Sequence, residues 1–187
     1  MVENRTHARL QTTFLNPKEL LKHIGIEQGM TVADLGFGSG YFSFAAAELV
    51  STNGTVYAVD VNKAALSHLK SRINLTGQRN IVPIWADIEQ LGKTGIPEGT
   101  CDAVFLVKVL YQLEHRTKGI AEAARILRPK GTLLVVEWKK AKTSIGPDIR
   151  QRIDLRDVER EITPFGFTVS ERPDVDEQHS VMVLTKL

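Results

Sequence analysis

The sequence has one cysteine, almost no excess charge and no long apolar run, and each of these shortages argues against a class of protein. Cys101 has no second cysteine with which to form an internal disulfide, so a disulfide-stapled scaffold is excluded. The formal net charge is +2, far from the strongly basic face that usually marks nucleic-acid binding. No cationic start is followed by a long apolar run, which predicts neither a signal peptide nor a membrane span, and we expect a cytoplasmic protein.

The composition is that of an ordinary globular domain. Hydrophobic residues make up 42% of the chain and charged residues 25%, and no repeat or low-complexity tract interrupts the pattern. A chain of 187 residues can bury roughly 70% of its unfolded surface around one core. We therefore predict a single domain over residues 1–187, with an N-terminal segment and helix over 1–29 and the main core over 30–187.

Apolar residues recur with periods that predict alternating strands and helices. Asn16 and Pro17 begin the first helix, since asparagine caps free amides and proline suits the first turn, and Gly25 ends it. The first predicted strand ends at Leu35, and the others cover residues 55–59, 81–85, 103–109, 132–136, 167–171 and 181–185. The later helices cover residues 41–50, 63–74, 119–127 and 154–162. Such alternation predicts an α/β fold, a mostly parallel sheet covered by helices on both faces.

The last two predicted strands break this alternation, because no helix lies between them. A short polar loop containing Pro173 joins the two strands, so they form a hairpin. The final strand is therefore expected to run antiparallel to its neighbours, a feature that helps to separate α/β families from one another.

The segment Asp34-Leu35-Gly36-Phe37-Gly38-Ser39-Gly40 lies between the first strand and the second helix. Glycines there permit positive φ and let a ligand lie against the backbone, and the following helix N-terminus presents unpaired amides. Two acids follow at later strand ends, Asp60 after the second strand and Asp87 after the third. An acid at the first of these positions can accept both hydroxyl protons of a ribose, whereas helix capping is the alternative for either residue. The pattern indicates nucleoside binding at the carboxyl edge of the sheet.

The glycine loop and these acids resemble those of the class I S-adenosylmethionine-dependent methyltransferases. The similarity extends from Pro17 to the end of the chain and includes the stretch from Glu122 to Gly131, which resembles the region before the fifth strand in enzymes that act on small molecules and quinones. The resemblance implies a Rossmann-like three-layer sandwich of seven strands, with the antiparallel seventh inserted between the fifth and sixth. It also implies a catalytic core over residues 30–187 and methyl transfer from S-adenosylmethionine to a small-molecule acceptor.

The resemblance further implies which residues bind the cofactor. The methionine end is assigned to the glycine loop and the end of the fourth strand: Asp34, Gly36, Phe37, Gly38, Gly40 and Val107. The ribose hydroxyls are assigned to Asp60, and the adenine to Val61, Asp87 and Ile88. Tyr111 and Gln112 are expected to line the acceptor pocket.

No catalytic residue is assigned, because a sulfonium methyl donor needs an aligned acceptor and no protein nucleophile. Cys101 lies on the side opposite the expected ligand edge and is interpreted as structural. His115 is either a general base or a surface or capping residue. The other histidines, His179 among them, show no metal-ligand spacing, and we expect no metal.

Several alternatives remain open from the sequence alone. A nicotinamide-dependent oxidoreductase shares the glycine turn, but the spacing here is Gly-x-Gly-x-Gly and no Tyr-x-x-x-Lys pair is present. A non-catalytic module that binds S-adenosylmethionine is a second alternative, and an RNA methyltransferase, for which nucleic acid is not excluded, is a third. The Asn-Pro-Pro-Tyr type of signature is absent after the fourth strand, which disfavours amino methylation of that kind. A homodimer is also possible.

Two segments are candidates for acceptor specificity. Residues 1–16 contain Arg5, His7 and Arg9, which are expected to belong to a lid. The second segment, residues 138–152, contains a basic loop with Lys139, Lys140, Lys142, Arg150 and Arg152. Because Gly146 and Pro147 interrupt it, the basic loop is interpreted as solvated, with contact to an anionic acceptor as the alternative.

Overall fold

A computed structural model of the chain describes residues 15–141 and 145–187. The strands in these ranges form one seven-stranded sheet. The strands are β1 (Thr31–Leu35), β2 (Thr55–Asp60), β3 (Ile81–Trp85), β4 (Cys101–Val107), β5 (Leu127–Trp138), β6 (Phe167–Glu171) and β7 (His179–Lys186). They lie in the order β3-β2-β1-β4-β5-β7-β6, and β7 runs antiparallel to both of its neighbours. The predicted α/β class, the antiparallel last strand and its insertion between β5 and β6 are confirmed.

Local sequence signals begin and end the helices. The helices are α1 (Pro17–His23), α2 (Tyr41–Val50), α3 (Lys63–Thr76), α4 (Arg116–Ile126) and α5 (Leu155–Ile162). The side chain of Asn16 accepts the Glu19 amide at the start of α1, and Asn62 caps α3 in the same way through two amides. Gly77 ends α3 with φ of 68°, a left-handed conformation that glycine adopts without steric cost.

The sheet is buried on both faces, which explains why its central strands are nearly continuous apolar runs. On one face Val32 belongs to a core formed with α1, α2 and α3, whereas on the other Ala33 and Leu35 belong to a core formed with α4 and α5. Parallel registers such as Leu35 with Val59 bring the carboxyl ends of β1 to β4 to one edge. The polar residues that follow these strands therefore meet at that edge.

The fourth strand begins and ends two residues earlier than predicted. The prediction of 103–109 followed the apolar run, but β4 ends at Val107 because Lys108 adopts φ of 52° and turns the chain. The Lys108 amide still donates to the Val136 carbonyl at 2.7 Å, and Leu110–Gln112 then form a short 3₁₀ helix. Val109 and Leu110 remain buried after the turn, so hydrophobicity alone did not show where the strand stops.

The fifth strand is longer than the predicted 132–136. Because β4 and β5 pair Cys101 with Leu127 and next Ala103 with Thr132, the segment around Pro129 lies in an irregular part of the ladder. Prolines within sheets are confined to such irregular positions, to edge strands and to strand starts, because proline cannot donate to the ladder. None of the helices in the described ranges combines the length and apolarity that a membrane crossing requires.

Candidate functional site

The glycine loop after β1 has backbone conformations and contacts that require glycine. Gly36, Gly38 and Gly40 have φ of 77°, 53° and 76°. A Cβ on Gly36 would lie 2.4 Å from Val109 Cγ2, and one on Gly40 would lie 2.9 Å from Leu69 Cδ1, whereas one on Gly38 would meet nothing within 4 Å. Gly36 and Gly40 are thus needed for packing, and Gly38 leaves open space where a ligand can approach the backbone.

This difference predicts unequal costs for two alanine substitutions. Both Gly36→Ala and Gly38→Ala place a side chain in the left-handed region, at about 1–2 kcal/mol. Gly36→Ala adds a collision with the Val109 side chain, so its loss of unfolding free energy should exceed that of Gly38→Ala by about 1–3 kcal/mol. Urea denaturation of both variants checks this, and equal losses would contradict the described packing.

Asp60 connects the glycine loop to the end of β2. Its Oδ2 accepts the Gly38 amide at 2.9 Å, and its Oδ1 accepts the Asn62 amide at 2.8 Å. A carboxylate has about four lone-pair sites, so both oxygens keep acceptor capacity toward the cavity that Asp60 lines.

The first cavity, which we call the β2–β3 cavity, has a volume of about 1270 Å³. Its lining includes the predicted residues Gly36, Gly38, Asp60, Val61, Asp87 and Ile88, together with Trp85. Val61 and Trp85 are 57% and 58% exposed, and the Trp85 indole donates to the Val61 carbonyl at 2.9 Å. These exposed apolar groups form a wall that suits a flat, partly apolar ligand.

Asp87 stabilises the turn after β3 and also lines the β2–β3 cavity. Its Oδ1 accepts the Glu89 amide at 2.9 Å, and its Oδ2 lies 3.1 Å from the Gln90 side-chain nitrogen. The sequence left capping and ligand contact as alternatives for Asp87. The capping alternative is wrong, because the described residues between β3 and β4 form turns and no helix.

The second cavity, the β4–β5 cavity, has a volume of about 820 Å³. Its lining includes the predicted residues Asp34, Gly36, Phe37, Gly38, Val107, Tyr111 and Gln112, together with Lys108, Trp138 and His179. Both cavities are lined by Gly36, Gly38, Ser39 and Gln112. The two cavities therefore meet at the glycine loop, which is the arrangement expected for two ligands that react with each other.

Asp34 is a buried carboxyl group in the wall of the β4–β5 cavity. It is 1% exposed, and the Ser43 hydroxyl donates to its Oδ2 at 2.6 Å. Burial raises the pKa of Asp34 to about 7, the Ser43 bond opposes this shift, and the nearby Asp60 adds to it. A cation bound at this wall would be attracted to the ionised form.

Asp176 and His179 form a pair at the wall of the β4–β5 cavity that was not predicted from the sequence. The Asp176 carboxylate lies 2.8 Å from His179 Nδ1, and the imidazole packs on the Trp138 ring with centroids 4.6 Å apart. His179 had been considered only as a metal ligand. The Asp-x-x-His spacing at the start of the last strand is the one feature of the sequence that could have indicated this pair.

The other predicted site residues lie in different places. Gly40 packs against Leu69 and does not line either cavity, whereas His115 is exposed at the start of α4 and does not line them either. Cys101 is the first residue of β4, away from the ligand edge, and burial raises the pKa of its thiol to about 12. The thiol is therefore protonated, in agreement with its structural interpretation.

The interpretation of the basic loop as solvated is wrong for Arg152. This side chain is buried, and among the described residues its guanidinium donates to the backbone carbonyls of Lys139, Ala141, Ile145 and Pro147. A guanidinium has five donors, which is why one arginine can order such a turn. Lys139 donates to the Asp176 carbonyl at 2.6 Å, and Arg150 is exposed beside Asp148. Lys142 and the proposed lid residues Arg5, His7 and Arg9 lie outside the described residues.

Comparisons with known proteins agree with this geometry. A family model described as a methyltransferase domain matches residues 26–172. The ubiquinone/menaquinone biosynthesis C-methyltransferase UbiE of Laribacter hongkongensis is 30% identical over 128 residues, which cover 68% of this chain and 50% of the relative. The chain thus spans about half the length of the curated relatives it matches.

Solved structures share the fold. A SAM-dependent methyltransferase from Aquifex aeolicus superposes with a TM-score of 0.86 at 24% identity, covering 92% of this chain and 90% of that one. The [4+2]-cyclase SpnF superposes with a TM-score of 0.76 at 14% identity, covering 90% and 80% of the two chains. Because these identities are low, the structures establish the architecture and leave the chemistry to the site itself.

Proposed function

We propose, since the chain belongs to the methyltransferase-domain family, that it binds S-adenosylmethionine and transfers the methyl group to a small-molecule acceptor. The observation that carries this proposal is the pair of cavities that meet at the glycine loop. One has acidic and exposed apolar walls suited to a nucleoside, and the other has aromatic walls suited to a second ligand.

The residues around the glycine loop fit the cofactor. The open space at Gly38 admits a ligand against the backbone, and the spare lone pairs of Asp60 suit the ribose hydroxyls. Val61, Asp87 and Ile88 are proposed to hold the adenine, with Trp85 added to that wall. Asp34 with the loop residues Gly36 and Phe37, and the end of β4 at Val107, are proposed to hold the methionine end, and Gly40 is proposed to shape the loop through its packing against Leu69.

The acceptor is proposed to bind in the β4–β5 cavity. When bound, S-adenosylmethionine supplies an activated methyl group, so the protein has to align the acceptor and exclude water. Tyr111, Trp138 and Phe37 offer aromatic surface for a planar acceptor. The name of the UbiE relative, a ubiquinone/menaquinone biosynthesis C-methyltransferase, supports an aromatic acceptor of the quinol type.

Calorimetric titration with S-adenosylmethionine, S-adenosylhomocysteine and NAD tests the cofactor assignment. Loss of a hydrogen bond to a charged group costs about 1.5–3 kcal/mol, so Asp60→Ala should weaken the binding of both adenosyl compounds about 10- to 150-fold. Asp157→Ala removes an exposed acid on α5, paired with Arg160, and should leave their affinity unchanged.

The alternatives to small-molecule methyl transfer predict different results in this titration and in assays of methyl transfer and RNA binding. Selective NAD binding would instead support an oxidoreductase, and adenosyl binding without methyl transfer to any acceptor would support a non-catalytic module. Strongly salt-dependent RNA affinity would favour an RNA methyltransferase. A homodimer and a cytoplasmic location stay predictions, which light scattering and cell fractionation would test.

A further inference from the structure

His179 and Asp176 form a buried acid–imidazole pair at the entrance to β7. His179 is 6% exposed, and its Nδ1 lies 2.8 Å and 3.1 Å from the two Asp176 oxygens. Asp176 also accepts the backbone amides of Gln178 and His179, which fix its orientation. A carboxylate in this position accepts a hydrogen bond from Nδ1–H, so the proton of the neutral imidazole stays on Nδ1 and the lone pair resides on Nε2.

The Nε2 atom has no hydrogen-bond partner among the described residues, although it is buried. Buried polar atoms are normally satisfied, and an orphan commonly marks a site where a ligand supplies the partner. His179 lines the β4–β5 cavity, whereas Asp176 lies outside that lining. An acceptor in this cavity that offers an O–H group would satisfy Nε2.

The charged groups that face the imidazole define its protonation. Burial lowers the pKa of His179, the Asp176 bond opposes this effect, and Lys108 from the end of β4 and Lys139 after β5 add to the lowering. The imidazole is therefore neutral near pH 7 and ready to accept a proton. The Lys108 ammonium lies 5.2 Å from the Trp138 ring centroid in the same cavity, where it would stabilise an oxyanion.

We propose that His179, oriented by Asp176, is the general base for an aromatic acceptor that carries a hydroxyl group. The hydroxyl proton moves to Nε2, and the electron pair of the O–H bond stays on the acceptor. In methylation at oxygen those electrons form the bond to the methyl carbon. In methylation at a conjugated ring carbon they become the C=O π bond, and a ring π pair forms the bond to the methyl carbon. In both cases the carbon–sulfur bond breaks and its pair stays on sulfur, and in the second case the ring carbon then loses its hydrogen as a proton to water while the oxygen takes a proton back from water, which restores the aromatic ring. The imidazolium, paired with Asp176, gives its proton to water after the product leaves. This inference rests on the proposed methyl transfer.

Rates with phenols of different acidity test the base. Wild type, His179→Gln and Asp176→Asn are assayed with labelled S-adenosylmethionine and hydroquinone, catechol or 4-nitrophenol. His179→Gln should lower kcat with hydroquinone and catechol by about 10²-fold or more, the usual contribution of a general base. The loss should shrink at high pH and with 4-nitrophenol, because an acceptor that is already ionised needs no base. A purely structural role of His179 would instead give equal losses with every acceptor. His23→Gln, a histidine paired with Glu171 on the β6 edge, is the matched control and should leave kcat unchanged.

A second measurement needs only the wild-type protein. In its complex with S-adenosylhomocysteine, bound 4-nitrophenol should show the phenolate absorption at a pH at least one unit below that of the free phenol. A bound phenol that ionises as in solution, or equal kcat losses with all three phenols, would overturn the assignment of His179. Failure of all three phenols to bind or react would overturn the acceptor class. If S-adenosylhomocysteine itself does not bind, the proposed function fails as well, so the two failures are distinguishable.

Discussion

Replacing Glu122 with alanine is expected to lower the free energy of unfolding by about 3–5 kcal/mol, because it removes the charged partner of the Arg125 guanidinium inside the protein. Glu122 on α4 is fully buried, and both of its oxygens accept hydrogen bonds. Arg125 donates to them at 2.7 Å and 2.9 Å, and the Gly92 amide donates at 2.8 Å. Burial by itself would raise the pKa of Glu122, but the bonds from Arg125, Thr94 and Gly92 lower it below the ordinary value.

The sign of the pH dependence follows from that lowered pKa. The stabilisation from Glu122 is present above the ordinary glutamate pKa and is lost as the pH falls through the folded-state value. Glu161→Ala is the matched control, since its ion pair with Arg116 is partly exposed and is expected to contribute about 1 kcal/mol at most. Urea denaturation at pH 7 compares the two, and similar losses would contradict a buried role for Glu122.

The Glu122 contacts also connect stability to the site. Gly92 and Thr94, which donate to the carboxylate, flank Lys93 in the wall of the β2–β3 cavity. Glu122→Ala should therefore loosen this wall and weaken the binding of S-adenosylhomocysteine, whereas Glu161→Ala should not.

The fold was predictable because its determinants are local. The strands of the parallel part contain short apolar runs, and α1, α3 and α5 begin at the capping residues Asn16, Asn62 and Asp154, which the sequence displays. Asp60 and Asp87 could be placed at one edge because parallel strands end on the same side of a sheet. The insertion of β7 between β5 and β6, in contrast, came from the family resemblance.

The acceptor side was less predictable because its contacts join distant parts of the chain. The antiparallel register pairs Trp138 with His179, and this pairing brings His179 to the wall of the β4–β5 cavity. The hairpin was predicted from Pro173 and its neighbours, but no local pattern gives the register between β5 and β7.

Buried charges were a second source of error. Glu122 and Arg152 are polar letters in a helix and a loop, and a hydrophobicity pattern assigns such residues to the surface. Both are buried because specific partners satisfy their hydrogen-bonding groups, and those partners cannot be recognised before the fold is known. The end of β4 was also predicted wrongly, in this case for a backbone reason. Lys108 adopts a positive φ that ends the strand, although the apolar residues continue beyond it in the sequence.

Asp34→Asn is expected to remove a loss of stability that the wild type shows as the pH rises. The folded-state pKa of Asp34 is about 7 and its ordinary value is 3.8, so between these values the folded protein holds a proton that the unfolded chain has lost. Its stabilisation is therefore complete below the ordinary value and is lost as the pH rises through 7. One pKa unit corresponds to about 1.4 kcal/mol, so the unfolding free energy of the wild type relative to Asp34→Asn should fall by about 2–3 kcal/mol between pH 5 and pH 8.

Ligand binding should show the opposite dependence if Asp34 binds the α-ammonium group at the methionine end of the cofactor, a group that S-adenosylhomocysteine also carries. Only the ionised carboxylate attracts that end, so wild-type affinity for S-adenosylhomocysteine should rise about tenfold from pH 6 to pH 8, and Asp34→Asn should lose this rise. Glu137→Gln is the matched control, because burial raises the pKa of Glu137 to about 7 as well, yet Glu137 does not line either cavity. Urea denaturation and calorimetry separate the two residues. Both substitutions should change the pH dependence of the unfolding free energy, whereas only Asp34→Asn should change the pH dependence of ligand affinity. A tenfold rise that survives in Asp34→Asn would remove this carboxylate from the cofactor site.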